Sequence, residues 1–247
     1  MISIILSLTL MFFSKEEIPP SVSKLMMHYP QIKSYQNGYL VFIDNTRLRY
    51  DDGEHKTYYQ KLENADIEDM FSQSYSKGLI PKEIAKNNDP GRIRNEAFFK
   101  KIYGESKTKV EEHLVEISWC PKLVNRKLKV TKINGVAEKL KAISDELDTH
   151  PELKKYLENA GGTFNRRLIN GTNRLSLHSF GMTIDIHVKY SNYWQWDCKS
   201  TKEDISLKYK NQIPQLIVDI FEKNGFIWGG KWYHYDTMHF EYRPELL

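Results

Sequence analysis

One short stretch constrains the fold more than any other. In Met182-Thr183-Ile184-Asp185-Ile186-His187-Val188, apolar and polar residues alternate without a break. This alternation predicts a strand with Met182, Ile184, Ile186 and Val188 on one face and Thr183, Asp185 and His187 on the other. The apolar face has to be covered, so other elements must pack on it. An Asp in the middle of such a strand is expensive unless it is paired or bound to a cation. Ser176-Leu177-His178-Ser179-Phe180-Gly181 runs straight into the strand. Gly181 permits a turn that carries His178 back beside Asp185.

The rest of the chain supplies the covering elements. After Asn134, a good helix N-cap, Val136, Leu140, Ile143 and Leu147 recur at helical spacing. A second helix is expected over 151–159, stopped by Gly161-Gly162. Pro214 opens a third, with Ile213, Ile217, Ile220 and Phe221 as its apolar stripe and Gly225 as its end. Strands are predicted over 127–133 and at Phe226-Ile227-Trp228, the latter turned by Gly229-Gly230. In the first half, 38–43 and 46–50 read as a hairpin around Asp44-Asn45. Residues 18–35 read as loop, broken by Pro19-Pro20. Residues 57–72 read as partly helical, 78–92 as loop with a turn at Asp89-Pro90-Gly91, and 93–103 and 106–115 as helical. The expected class is α+β, a small antiparallel sheet with packed helices.

A chain of 247 residues makes one large domain, or one domain and a smaller unit. Its 36 basic and 32 acidic residues are well mixed, so the charge calls for no nucleic-acid partner. Lysine-rich helix surfaces read as solvated faces. With 40% hydrophobic and 28% charged residues, a disordered chain and a multi-span membrane protein are excluded. Residues 1–13 form an uncharged apolar run, shorter than the roughly 20 residues of a membrane span. The run suits the core of a signal peptide over 1–14, although no Lys or Arg precedes it and no Ala-x-Ala site follows. The competing reading is a buried N-terminal strand or helix. Export implies a periplasmic or secreted protein with no stable membrane span in the mature chain. The two cysteines, Cys120 and Cys198, form no CxxC pair and read as separate buried thiols.

Chemistry concentrates late in the sequence. His178, His187, His234 and His239 lie close together in the chain, and Asp236 precedes His239 by one helical or turn spacing. If His239 joins His178 and Asp185, one point receives two imidazoles and a carboxylate. Such a set holds a catalytic zinc and leaves a position open. Asp236 would then stand beside it as general base. On spacing alone, a satisfied structural histidine is an equal reading at each position. His187 and His234 are alternatives, as ligands or as residues that orient a ligand. The aromatics Tyr190, Tyr193, Trp194, Trp196, Trp228, Trp232, Tyr233 and Tyr235 read first as core and second as a wall for a glycopeptide.

Two motifs carry a resemblance. Ser176-x-His178-x-x-Gly181-x-x-x-Asp185 and Asp236-x-x-His239-Phe240 resemble the zinc motifs of the M15 metallopeptidases. These are the D-alanyl-D-alanine carboxypeptidases and L-alanyl-D-glutamate endopeptidases of bacterial walls and phage endolysins. Gly161-Gly162-Thr163-Phe164-Asn165-Arg166-Arg167 resembles the segment carrying that family's arginine. The resemblance covers roughly 125–247. It implies the Hedgehog/DD-peptidase fold and a peptidoglycan stem peptide as substrate. It also implies Zn2+ held by His178, Asp185 and His239, with Asp236 as base. An arginine, Arg167 rather than Arg166, would bind a substrate carboxylate or the developing oxyanion. Thr183 stands where the family often has Ala, and Asp236 where the dipeptidase branch has Glu. The expected organisation is a signal peptide over 1–14, an N-terminal region of unknown role over 15–120 and an M15-like zinc peptidase domain over 121–247. Two rival functions are a non-catalytic zinc module binding wall peptides or a partner protein, and a zinc amidase acting on another amide.

Overall fold

The computed structural model describes residues 16–247; the apolar run at 1–13 and the signal peptide expected there lie outside them. The described chain opens with α1 (Pro20–His28) and a meander of β1 (Ile32–Gln36), β2 (Tyr39–Phe42) and β3 (Arg47–Arg49). The expected hairpin is there, with Leu40 opposite Leu48. The loop expected over 18–35 is instead α1 and β1. Pro20 does not break the chain because it stands in the first turn of the helix, where its missing N–H costs nothing.

Next come α2 (Tyr58–Asn64), closed by a Thr57–Gln60 capping box, α3 (Glu96–Tyr103), capped by Asn95, and α4 (Lys107–Glu111). The helix expected to reach 115 ends early because the chain turns into β4 (Leu114–Trp119), which pairs with β5 (Arg126–Thr131). The α5 helix (Val136–Leu147) buries all four residues of its predicted stripe. Its N-cap, however, is Gly135 at φ 71°, and Asn134 sits at φ 54° in the preceding turn. The Asn134 side chain accepts from Gln31 Nε2 at 2.9 Å instead of capping. A short α6 (Lys154–Leu157) stops before Gly161-Gly162, which are not a helix stop but part of β6 (Ala160–Gly162). The remaining elements are β7 (Thr183–His187), α7 (Trp194–Cys198), α8 (Gln215–Lys223), β8 (Phe226–Trp228) and β9 (His239–Tyr242).

The sheet that matters for function is antiparallel, in the order β6-β7-β9-β8. Its apolar face is covered as the alternation requires. Ile184 faces Phe240 across β7 and β9, and the Phe221 ring of α8 stacks on Phe240 at 3.8 Å between centroids. Val188 departs from the expected face, since the chain turns into a 3-10 helix there and leaves it exposed. One apolar core runs from Val22 to Tyr242, and residue 120 lies in the turn joining β4 to β5. The first described helix is tied to the C-terminal segment as well: Tyr29, just past α1, donates to Glu245 at 2.7 Å. Both cysteines are free. Cys120 is buried, whereas Cys198, at the end of a short surface helix, is only half-buried. Among the described residues no helix is long and apolar enough to cross a membrane.

Candidate metal centre

Antiparallel pairing sets the centre of the site. Asp185 of β7 lies directly opposite His239 of β9, so both side chains leave the same face. His178 arrives from the 3-10 turn Leu177–Phe180, which ends at Gly181 with φ 67°. Asp185 Oδ1 is 3.0 Å from His239 Nδ1 and 3.1 Å from His178 Nε2. The three residues offer ligand atoms within 4.8 Å of one another. Space for them depends on Gly161, where a Cβ would sit 3.0 Å from the Asp185 Cβ.

Each imidazole is held from behind. His178 Nδ1 donates to the Thr163 carbonyl at 2.9 Å, which aims Nε2 at Asp185. That Nε2 is buried and makes no hydrogen bond, although Asp185 Oδ1 stands 3.1 Å away. His239 Nε2 faces Glu241 Oε2 at 3.0 Å, which turns Nδ1 toward Asp185. Burial alone would lower the His239 pKa, but the two flanking carboxylates push it up to about 10. Against burial, His178 and His239 hold the Asp185 carboxyl far below the usual carboxylate range. His239 and Asp185 attract one another across 3.0 Å, and a bound cation would replace that contact. An unpaired Nε2, tautomers fixed from behind and an N,N,O donor set fit zinc.

These residues floor a cleft of about 400 Å3. Asp236 lines it, and its buried Oδ1 has no hydrogen-bond partner. Burial first, then the charge of Asp185, push its carboxyl up to about 7. Arg167 also lines the cleft, with its backbone N–H held by Ser179 Oγ at 3.1 Å. Arg166 is turned away toward the Glu105 carbonyl. The two alternative histidines stay out of the cluster. His187 Nδ1 meets the Lys155 carbonyl at 2.8 Å. His234 uses both ring nitrogens, one on Asp89 at 2.7 Å and one on the Glu203 carbonyl at 2.8 Å. The aromatics divide. Trp194, Trp228, Trp232, Tyr233 and Tyr235 are buried, while Trp196 is 57% exposed at the cleft.

Sequence reasoning missed Glu241 and its arginines. Glu241 is fully buried, 2.6 Å from Arg94 and 3.1 Å from Arg243. Against burial, Arg94, then His239 and Arg243, hold it down to about 2. The available signal was a carboxylate two residues past His239 on the same strand face. Two other carboxylate groups, Asp51-Asp52-Asp66 and Asp66-Glu68-Asp69, already share the Lys56 ammonium, which lies 2.5–3.2 Å from Asp52, Asp66 and Asp69.

No curated protein and no solved structure matches the chain. A family model described as D-alanyl-D-alanine carboxypeptidase, one of the M15 peptidases, matches residues 170–242. That span holds His178, Asp185, Asp236 and His239, and over it the resemblance to the M15 peptidases is borne out.

Proposed function

We propose that this chain is an exported, zinc-dependent peptidase that hydrolyses a peptide bond in peptidoglycan stem peptides. The bond is of the D-alanyl-D-alanine carboxypeptidase or L-alanyl-D-glutamate endopeptidase type. One observation carries the reading. His178, Asp185 and His239 meet in a cleft that also holds an unpartnered Asp236 oxygen.

His178 through Nε2, Asp185 through a carboxylate oxygen and His239 through Nδ1 would hold the metal. Zinc bound there supplies a Lewis acid that polarises the scissile carbonyl and makes water acidic near neutral pH. Asp236, pushed up to about 7, accepts the proton of the attacking water and hands it to the leaving amine. Arg167, at the cleft, offsets negative charge as it develops on the carbonyl oxygen. Thr163 and Glu241 keep the two imidazoles aimed throughout.

The test is mass spectrometry of purified peptidoglycan incubated with zinc-loaded protein, beside a chelator-treated control. Chelator-sensitive peptide fragments are expected, and their masses name the bond. An unchanged digest from zinc-loaded protein would overturn the reading in favour of a module that binds wall peptides.

A further inference from the structure

A second cavity, of about 300 Å3, lies between the end of α2, the first turn of α3 and the hairpin 168–175. The hairpin is closed by Leu168 opposite Leu175 and by Ile169 N–H donating to the Arg174 carbonyl at 2.8 Å. It is tied to α3 where Leu175 N–H donates to Glu96 at 3.2 Å. This cavity is not separate from the metal-bearing cleft. Arg92, Arg94, Ile169 and Arg174 line both, as a neck between them.

The three arginines of the neck are not equivalent. Arg92 is committed, with two hydrogen bonds to Glu203 at 2.9 and 2.8 Å and one to Tyr58 at 2.8 Å. Arg94 is committed to Glu241. Arg174 is under-bonded. Its Nε is buried without a hydrogen bond, 3.3 Å from a largely exposed Glu63, and its Nη2 reaches Glu203 only at 3.5 Å. Two carboxylates, Glu63 and Glu96, line the cavity beside these arginines. Burial first, and then Arg243, Arg92 and Arg174, lower the Arg94 pKa despite its Glu241 partner. A half-buried guanidinium whose Nε lacks a hydrogen bond can exchange the exposed Glu63 for a ligand carboxylate, which it can grip with two parallel bonds. Beyond the neck Leu62, Ala65, Phe99 and Phe180 make an apolar wall, beside the polar Asn64, Asn95 and Glu96. About 300 Å3 is the lower end of ligand pockets, room for one or two peptide residues but not a glycan strand.

We propose that this cavity is a second substrate subsite. It takes one arm of the peptide, with a free carboxylate on Arg174 at the neck and a small aliphatic side chain on the apolar wall beyond. The proposal rests on the peptidase reading for the identity of its ligand. It also gives the region 62–99 a function, since that region builds half of the pocket.

The experiment uses the full zinc-loaded chain carrying Asp236→Ala to prevent turnover. A synthetic stem tetrapeptide is titrated by calorimetry in two forms, with free carboxylates and with the carboxylates amidated. The acid form should bind about tenfold tighter than the amide, in line with a charge-assisted bidentate contact. Arg174→Gln should abolish that preference. Ala97→Trp, which fills the cavity, should weaken both forms. Zinc content and melting temperature report whether each variant is folded, and if Ala97→Trp is not, Arg174→Gln alone decides. A preference retained by Arg174→Gln, or absent from the parent, overturns the subsite. An intact preference together with no cleavage by the unmutated chain would overturn the peptidase reading and leave the subsite standing.

Discussion

Glu241 meets His239, Arg94 and Arg243 at once, with no contact to solvent. Glu241→Gln would remove the charge that both guanidiniums need. The expected loss is about 3–5 kcal/mol of stability, the cost of breaking a buried ion pair from one side. Zinc affinity should fall about 10- to 100-fold as His239 loses its support. Urea unfolding and competition against a chelator measure the two effects. Asp236 differs in kind, because its free oxygen supports nothing else in the fold. Asp236→Ala should keep zinc and lose about 10²- to 10⁴-fold in turnover, whereas His178→Ala should lose both. Metal analysis beside the peptidoglycan digest separates these cases, and wild-type cleavage by Asp236→Ala would sink the assignment of the base. His178, Asp185, Asp236 and His239 were legible because their motifs are local. Thr163, Arg94 and Arg174 were not, because what they touch comes from sequence-distant elements.

At the scale of elements, the sheet is held from its apolar side by α8. Phe240 is fully buried between Phe221 and Trp228, with centroids at 3.8 and 6.2 Å. Phe240→Ala should cost about 3–5 kcal/mol, read as a fall in the urea midpoint at unchanged slope. The helices α5 and α8 and the strand β7 were readable from periodicity alone, since each buries one continuous face. The strand β4 was not. Its alternation is broken by exposed Val115, and its pairing is set by β5 across a turn. The α1 helix was hidden by Pro19-Pro20, which is as consistent with a helix start as with a break.

Across the whole molecule, the N-terminal half buttresses the site. The Asp89 carboxylate accepts from both the backbone N–H and the ring of His234, and Arg92 ties Tyr58 to Glu203. Against burial, Arg92 and then His234 hold Asp89 and Glu203 below their ordinary values. For such depressed carboxylates the unfolded chain binds more protons. Their contribution is complete above the unfolded values of about 4 and is lost as pH falls through the lower folded ones. The urea midpoint should therefore drop between pH 5 and pH 3, and Asp89→Asn should flatten that fall while lowering the midpoint at pH 7. The pairing of Asp185 with His239 carries a consequence for folding. Successive side chains point to opposite faces, so a slip of one residue between β7 and β9 would send one ligand into the core. A refolding chain that takes up zinc tightly has, by that act, reported its strands aligned, and the rate of metal uptake becomes a clock for the assembly of the central sheet.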